Sequence, residues 1–325
     1  MVAAAGKPRL GSSSDRRVPL RASVFGLDVE SSEPIELLHR APAARTGNDV
    51  SLTVSDDSAW PVLAPGSSRL VCDQREPDGA AIFTIESHPI AGYLFRSERY
   101  GRFLLSPDGR SLVCFPGRRP AAVWQRLLIA QVLPFAAVLA GFEVLHASAV
   151  AYAAGAVVLI GRSGAGKSSL AIELCSGGAR FVADDVLAVE RSAGALLAHP
   201  GAPIAALAHP GGADRQGARG SLAGGGHKRL VTMAGVEEPV PIRMAFLLRR
   251  VAAPLGGPEF TELGDPAVLL GSSFNSVIRT PTRLRRLLEV CAALAGGRLE
   301  CVSAGSDIAP PQLAEAIRAR VAASL

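Results

Sequence analysis

Residues 156–175 read Ala-Val-Val-Leu-Ile-Gly-Arg-Ser-Gly-Ala-Gly-Lys-Ser-Ser-Leu-Ala-Ile-Glu-Leu-Cys, and this stretch restricts the fold more than any other in the chain. The leading apolar run has the length and composition of a buried strand. Ser169 to Cys175 has a helical pattern that stops at Gly177-Gly178. Between them, Gly161-Arg162-Ser163-Gly164-Ala165-Gly166-Lys167-Ser168 matches G-x-x-x-x-G-K-[ST] without a mismatch. The glycines let successive backbone N–H groups turn inward around phosphate oxygens, and the helix after them adds its positive dipole end. Lys167 can reach the β- and γ-phosphates, Ser168 can offer its hydroxyl to Mg2+, and Ser169 carries the loop into the helix. The chain thus reads as an α/β protein that holds ATP and Mg2+ through residues 161–169. The glycine spacing is not G-x-G-x-x-G, which argues against a dinucleotide fold.

The loop does not name a reaction. Transport ATPases share Ser-Gly-Ala-Gly-Lys-Ser-Ser-Leu, but they also carry a Leu-Ser-Gly-Gly-Gln type signature and a distant Asp-Glu pair. Neither occurs downstream of Lys167 here. Instead the chain continues through a helix and the short strand Phe181-Val-Ala to Asp184-Asp185, 17 and 18 residues beyond the lysine. That connection returns the strand end to the side of the loop, where ligands bind in open α/β sheets. One carboxylate can take a proton from an attacking hydroxyl, and the other can hold Mg2+. A solvated turn capped by aspartate is the plainer alternative.

Composition limits the remaining classes. The chain has 325 residues, enough for about two domains and a sizeable core. With 48% hydrophobic and 19% charged residues it is neither disordered throughout nor of low complexity. The net charge of +5 comes almost wholly from arginine, since Lys7, Lys167 and Lys228 are the only lysines. A bias of that kind, beside abundant Ala and Gly, points to a GC-rich genome rather than to a nucleic-acid partner. The five scattered cysteines contain no C-x-x-C pair, and the histidines show no metal-ligand spacing. No signal-peptide core is evident near the N-terminus. The apolar run Leu127–Leu145 contains Gln131, Pro134 and Glu143 and leads straight into the loop region, so it reads as a buried or amphipathic helix and not as a membrane span. The expectation is a cytoplasmic protein with neither a membrane nor a nucleic acid as partner.

Along the chain, residues 1–20 read as a disordered tail and 21–118 as a smaller β-rich domain, a structural or substrate-docking module. Its clearest unit is a hairpin across Ser106-Pro-Asp-Gly109. Residues 119–325 read as the nucleotide-binding domain. A helix is expected from Trp124 to Leu145, kinked or broken at Pro134, with strands at 144–150, 156–160 and 244–250 and helices at 283–295 and 311–323.

His146 ends an apolar run, where a lone histidine is often a satisfied core residue. Taken with the loop and the Asp pair, however, His146-Ala-Ser, Gly161–Ser168 and Arg180-Phe-Val-Ala-Asp184-Asp185 resemble HPr kinase/phosphorylase, the bacterial serine kinase that modifies a sugar-transport phosphocarrier protein. The resemblance covers about 40 residues, short but in the family's order. It implies a P-loop kinase domain of the HPr kinase and phosphoenolpyruvate carboxykinase type, using Mg-ATP on a serine hydroxyl. Asp185 would be the proton acceptor, Lys167 the phosphate clamp, Ser168 the metal ligand and His146 a partner of Asp185, and Asp184 is then the carboxylate left to hold Mg2+. The family forms rings, so a homo-oligomer is implied as well. The Glu-Ile-Arg-Gly-Leu-Gly type segment found after the family's Asp pair is replaced here by Leu196-Leu-Ala-His-Pro-Gly-Ala-Pro203, and the later Pro-Gly-Arg-Asn type segment is missing. The chain looks more like the divergent HPr-kinase-related group, including kinases of lasso peptide clusters that phosphorylate a serine on a precursor. A small-metabolite kinase of the same fold and a nucleotide-gated regulatory ATPase remain as alternatives.

Three further features are open to two readings each. Gly224-Gly-Gly-His227-Lys228-Arg229 is either a surface loop or a lid over the phosphates. Arg279, Arg283, Arg285 and Arg286 are either a solvated helix face or a contact for phosphate or acidic peptide. Glu190 is either an ordinary strand residue or a replacement for the missing metal carboxylate.

Overall fold

The computed structural model describes residues 20–39, 41, 46–76, 78–208, 228–274 and 277–324. The expected tail at 1–20, apart from Leu20, and the glycines and histidine of the Gly224–Arg229 loop lie outside them.

Short alternating stretches broken by glycine build the first sheet. Its strands are β1 (Leu20–Val24), β2 (Leu27–Ser31), β3 (Asp49–Val54), β4 (Arg69–Arg75), β5 (Ala81–His88), β6 (Gly92–Ser97), β7 (Gly101–Leu105) and β8 (Ser111–Phe115), in the order β1-β2-β3-β8-β7-β6-β5-β4. The expected hairpin joins β7 to β8. Asp108 accepts hydrogen bonds from the Ser106 hydroxyl at 2.6 Å and the Arg110 amide at 3.1 Å, and Gly109 takes a φ of +76°. Alternation then sends Phe103, Leu105, Leu112 and Cys114 inward.

The next apolar run closes this sheet. It forms α1 (Ala121–Leu127), a widened turn over Leu128–Val132 and α2 (Leu133–Ala140). The widened turn immediately precedes Pro134, whose nitrogen has no hydrogen to donate to the turn before it. The helix ends at Ala140 rather than at Leu145, because Gly141 adopts a left-handed conformation with φ +110°. The stretch Ala121–Ala140 is long and apolar enough to cross a membrane by length and composition, but 72% of that window is buried within the fold. Phe135 meets Tyr93 and Phe95 edge-to-face, with ring centroids 4.7 and 5.3 Å apart.

The second sheet carries the loop. Its strands are β9 (Glu143–Leu145), β10 (Ala147–Tyr152), β11 (Gly155–Gly161), β12 (Arg180–Ala183), β13 (Leu187–Ser192), β14 (Ala195–Ala198), β17 (Val240–Arg250), β18 (Glu259–Glu262) and β19 (Leu299–Ala304). Between β14 and β17, β15 (Ile204–Ala208) and β16 (Lys228–Thr232) form a separate pair. Three helices complete the chain: α3 (Lys167–Ser176), α4 (Pro281–Gly296) and α5 (Pro310–Ser324). β17 runs parallel to β11 and β19, and its first residues pair with β14. Alternation along β11 explains why all its apolar residues are buried. Val157 and Leu159 pack with α3 and α5 on one face, while Ala156, Val158 and Ile160 join the core that includes Val290 and Leu294 of α4 on the other. The architecture is α/β with a β-rich N-terminal region, as the sequence leads one to expect. Its largest apolar cluster is continuous from the first sheet through α1 and α2 to Val144, Val186, Ala202 and Ala206.

One part of the sequence reading is corrected. Arg283 is not on a solvated face: it is 3% exposed and pairs with Glu143, which is fully buried, at 2.9 Å. Its remaining donors go to the Ile278 carbonyl at 3.0 Å, the Ser273 hydroxyl at 3.0 Å and the Phe274 carbonyl. Arg286 is half-buried and donates to the Val138 carbonyl at 3.1 Å, while Arg279 and Arg285 are exposed. Removing one partner of a buried pair strands the other charge. Arg283→Ala or Glu143→Gln should therefore cost about 3–5 kcal/mol in urea unfolding, whereas Arg285→Ala should change stability by less than about 0.5 kcal/mol.

Candidate active site

The site forms where three strand ends meet. β10 is antiparallel to both β11 and β12, so the start of β10 lies beside the ends of β11 and β12. Ala147 pairs with Ile160 and Ala149 with Ala183, which brings His146 beside Gly161 and Ser148 beside Asp184. A backbone bond from the His146 amide to the Ser272 carbonyl at 2.6 Å holds the entry to β10.

The loop leaves β11 at Gly161 and enters α3 at Gly166, whose φ of +92° favours glycine. At Gly161 a Cβ would sit 2.8 Å from the Leu248 carbonyl oxygen, so the loop can lie this close to β17 only without a side chain. Arg162, Ser163 and Gly164 are exposed or nearly so, Ser168 and Ser169 are half-buried, and Ala165 is buried, its amide donating to the Arg162 carbonyl at 3.1 Å.

Lys167 is buried and folds back over the loop. Its Nζ donates to the carbonyls of Gly161 at 2.8 Å and Arg162 at 3.3 Å, and it lies 3.1 Å from His146 Nε2. An ammonium only donates, so Nε2 is the acceptor and the neutral imidazole carries its hydrogen on Nδ1. That nitrogen faces Asp185, 3.0 Å from its carbonyl oxygen and 3.1 Å from Oδ1. The three side chains form one line, Lys167 to His146 to Asp185. Asp185 is 5% exposed and has a φ of +66°, a left-handed conformation that aspartate tolerates better than most residues.

Asp184 is bound differently. Ser148 donates to its Oδ1 at 2.6 Å and the Ala206 amide to its Oδ2 at 2.9 Å, and the Ser168 hydroxyl lies near it. Burial, and then the charge of Asp185, nevertheless push the Asp184 carboxyl above its ordinary range. A hydroxyl and a carboxylate are hard oxygen donors of the kind Mg2+ takes, and a cation there would relieve the cost of burying the charge. Ser168 and Asp184 thus fit a cation, and the loop amides with Lys167 fit phosphate. Among the described residues no three His, Cys, Asp or Glu side chains gather into a metal site. Phosphate oxygens and water would supply the rest of the coordination, as is usual for Mg2+.

Of the weaker candidates, Glu190 accepts from buried His199 Nε2 at 2.9 Å, so its carboxylate is engaged on β13. Lys228 opens β16. Sequence reasoning missed three contributors: Ser148, the Ala206 amide and Ser272. Ser148 sits two residues beyond His146 and could have been suspected from strand alternation, but the other two act through backbone atoms and leave no side-chain signal.

The fold and the site define a P-loop α/β protein with an Asp pair and a histidine at the loop. Residues 137–206 match the family model described as HPr Serine kinase C-terminal domain, a segment that contains His146, the whole loop and both aspartates. The chain is related to HPr kinase through that segment. Among solved structures it is similar to the Hpr(Ser) kinase/phosphatase from Coxiella burnetii, with 14% identity and a TM-score of 0.32 over 55% of this chain and 97% of that one. No curated protein matches the chain.

The raised Asp184 carboxyl has a consequence for stability. A carboxyl with a folded pKa above its unfolded value favours the folded state at low pH and loses that contribution as pH rises. Asp184→Asn keeps an acceptor for the Ala206 amide and removes the buried charge. Without nucleotide or Mg2+, it should raise the Tm by a few degrees at pH 7, and the gain should shrink as pH falls toward 3.8, the ordinary aspartate value. Thermal unfolding across that pH range checks it.

Proposed function

We propose that this protein is a cytoplasmic kinase that transfers the γ-phosphoryl group of Mg-ATP to a serine hydroxyl of a peptide or protein. The observation that carries this reading is the line from Lys167 through His146 to Asp185. It joins the phosphate cradle to a buried carboxylate placed to accept a proton. The match to a serine kinase domain over 137–206 supports the choice of serine.

Each residue has a distinct task. The amides of residues 161–168 and the N-terminus of α3 would bind the phosphates, with Lys167 turning from its loop carbonyls to the phosphate oxygens. Mg2+ held at Ser168 and Asp184 would neutralise charge on the phosphates. Asp185 accepts the proton of the serine hydroxyl as it attacks. His146 keeps Asp185 oriented through its Nδ1–H and offers Nε2 to Lys167, so the acid–base group and the phosphate clamp share one support.

Lys167→Ala should abolish Mg-ATP binding and turnover. Asp185→Asn should bind Mg-ATP within about twofold of the parent and lose at least about 100-fold in transfer. The direct test adds γ-labelled ATP and Mg2+ to a lysate of the source cells, with parent protein or Asp185→Asn. Label on a peptide or protein with the parent alone establishes the reading. Label on a small molecule makes it a metabolite kinase, and free phosphate alone makes it a regulatory ATPase.

A further inference from the structure

The turn between β1 and β2 has an unusual residue at its tip. Val24 and Leu27 close it, and its two central residues, Phe25 and Gly26, have φ of +58° and +79°. Two-residue hairpins of this handedness take Asn, Asp or Gly at the first central position, and a bulky aromatic there is strained. Strain of this kind persists only where the surroundings enforce it, so it asks what the ring does.

Phe25 is 2% exposed, far from the solvated tip a hairpin usually presents. Its amide donates to the Pro200 carbonyl at 2.7 Å. Its ring lies against Gly201, where an added Cβ would be 3.5 Å from Phe25 Cε1 and only 2.9 Å from Ala183 Cβ. Gly201 in turn donates its amide to the Val182 carbonyl at 2.8 Å. Gly26 is pressed onto Phe142, where a Cβ would meet Cζ at 2.5 Å, and the Phe142 ring meets His199 with centroids 4.8 Å apart. The turn is therefore wedged against His199-Pro200-Gly201, part of the segment that replaces the resembled family's signature. Behind that segment is the end of β12, and the next two residues are Asp184 and Asp185. Val186, the residue after the pair, and Ala206, whose amide bonds Asp184, share an apolar cluster with Phe25.

We propose that Phe25 is a positioning residue for Asp185. Through Pro200 and Gly201 the β1–β2 turn fixes the end of β12, which makes the N-terminal sheet a working part of the phosphotransfer site. The proposal deepens the kinase reading and, for its catalytic consequence, rests on it. Asp185 has a left-handed backbone of its own, and a carboxylate on such a residue keeps its place only while its neighbours keep theirs. Truncating Phe25 opens space behind Gly201 and Ala183, and a shift of about 1 Å in a catalytic group can cost on the order of 100-fold in rate. The phosphate loop is built on β11 and α3, whereas the backbone bond and ring contact of Phe25 go to Pro200 and Gly201, so nucleotide binding should be spared.

The test uses the full-length chain and phosphate release from Mg-ATP, with water as acceptor, comparing the parent with Phe25→Ala, Phe25→Leu and Gly201→Ala. Phe25→Ala should lower kcat at least about tenfold with KM for ATP within about twofold, and Phe25→Leu, which refills most of the space, should recover most of kcat. Gly201→Ala presses on Ala183 from the other side and should show the same split, which decides the matter if Phe25→Ala does not fold. Parent-like kcat in folded Phe25→Ala, or kcat and KM changing together, overturns the proposal. Amide hydrogen exchange without nucleotide provides a readout independent of catalysis. Faster exchange confined to 182–185 and 199–202 in the Phe25 variants supports the proposal, and unchanged exchange there overturns it. Were the parent to release no phosphate, the kinase reading would fall while the exchange comparison still judged Phe25.

Discussion

The geometry of the site depends on a buried ion pair that lies outside the line from Lys167 to Asp185. Glu143 and Arg283 lie 140 residues apart in sequence and join β9 to the start of α4. Two charges removed from water are stable together only if the remaining donors and acceptors are met. Here the guanidinium reaches two backbone carbonyls and the Ser273 hydroxyl besides the carboxylate, and Ser273 itself donates to Glu143 at 3.1 Å. The result is a polar clamp that holds residues 272–274 against β9. Ser272 then presents its carbonyl to the amide of His146, and Phe274 donates its amide to the Val144 carbonyl at 2.8 Å. The histidine between Lys167 and Asp185 is thus placed by its backbone before its side chain makes any contact.

Within the site, the two aspartates are held by different means. Asp184 accepts from the Ser148 hydroxyl and the Ala206 amide, while burial and the neighbouring Asp185 charge push its carboxyl up. Asp185 faces an imidazole whose other nitrogen is committed to an ammonium. Two adjacent, identical side chains are thus set in different surroundings by their neighbours.

Much of this was legible in the sequence, for physical reasons that differ residue by residue. The loop announces itself because its glycines and Lys167 fall at the fixed places of the phosphate-loop pattern. The Asp pair is readable because one helix and one strand return the chain to the same side of the sheet. Pro134 and Gly141 mark the irregular helix, although the position of its end depended on the left-handed turn at Gly141, which the apolar pattern hides. The illegible part is long-range and reciprocal. Arg283 looks like one member of a surface run until Glu143 is known to face it. Phe25 looks like an ordinary strand residue, since neither its backbone conformation nor Pro200 and Gly201 as partners can be inferred from its neighbours in sequence.

β17 has eleven residues and takes partners from three distant parts of the chain: β14, β11 and β19. This sets the order in which the molecule can assemble. The Gly161–Ser168 loop and the helix after it are synthesised by residue 176, yet the sheet beneath them lacks its central strand until residue 250 and that strand's outer neighbour until residue 304. Non-local pairings of this kind close slowly. The N-terminal sheet, by contrast, is complete in sequence by residue 115, and its four strands from β5 to β8 are joined by successive hairpins. A nascent chain would therefore carry a largely formed first sheet, its β1–β2 turn waiting with an apolar tip, while the half that receives it is still being made. The surface at risk during synthesis is that tip, and the chain protects it only when Pro200 and Gly201 arrive.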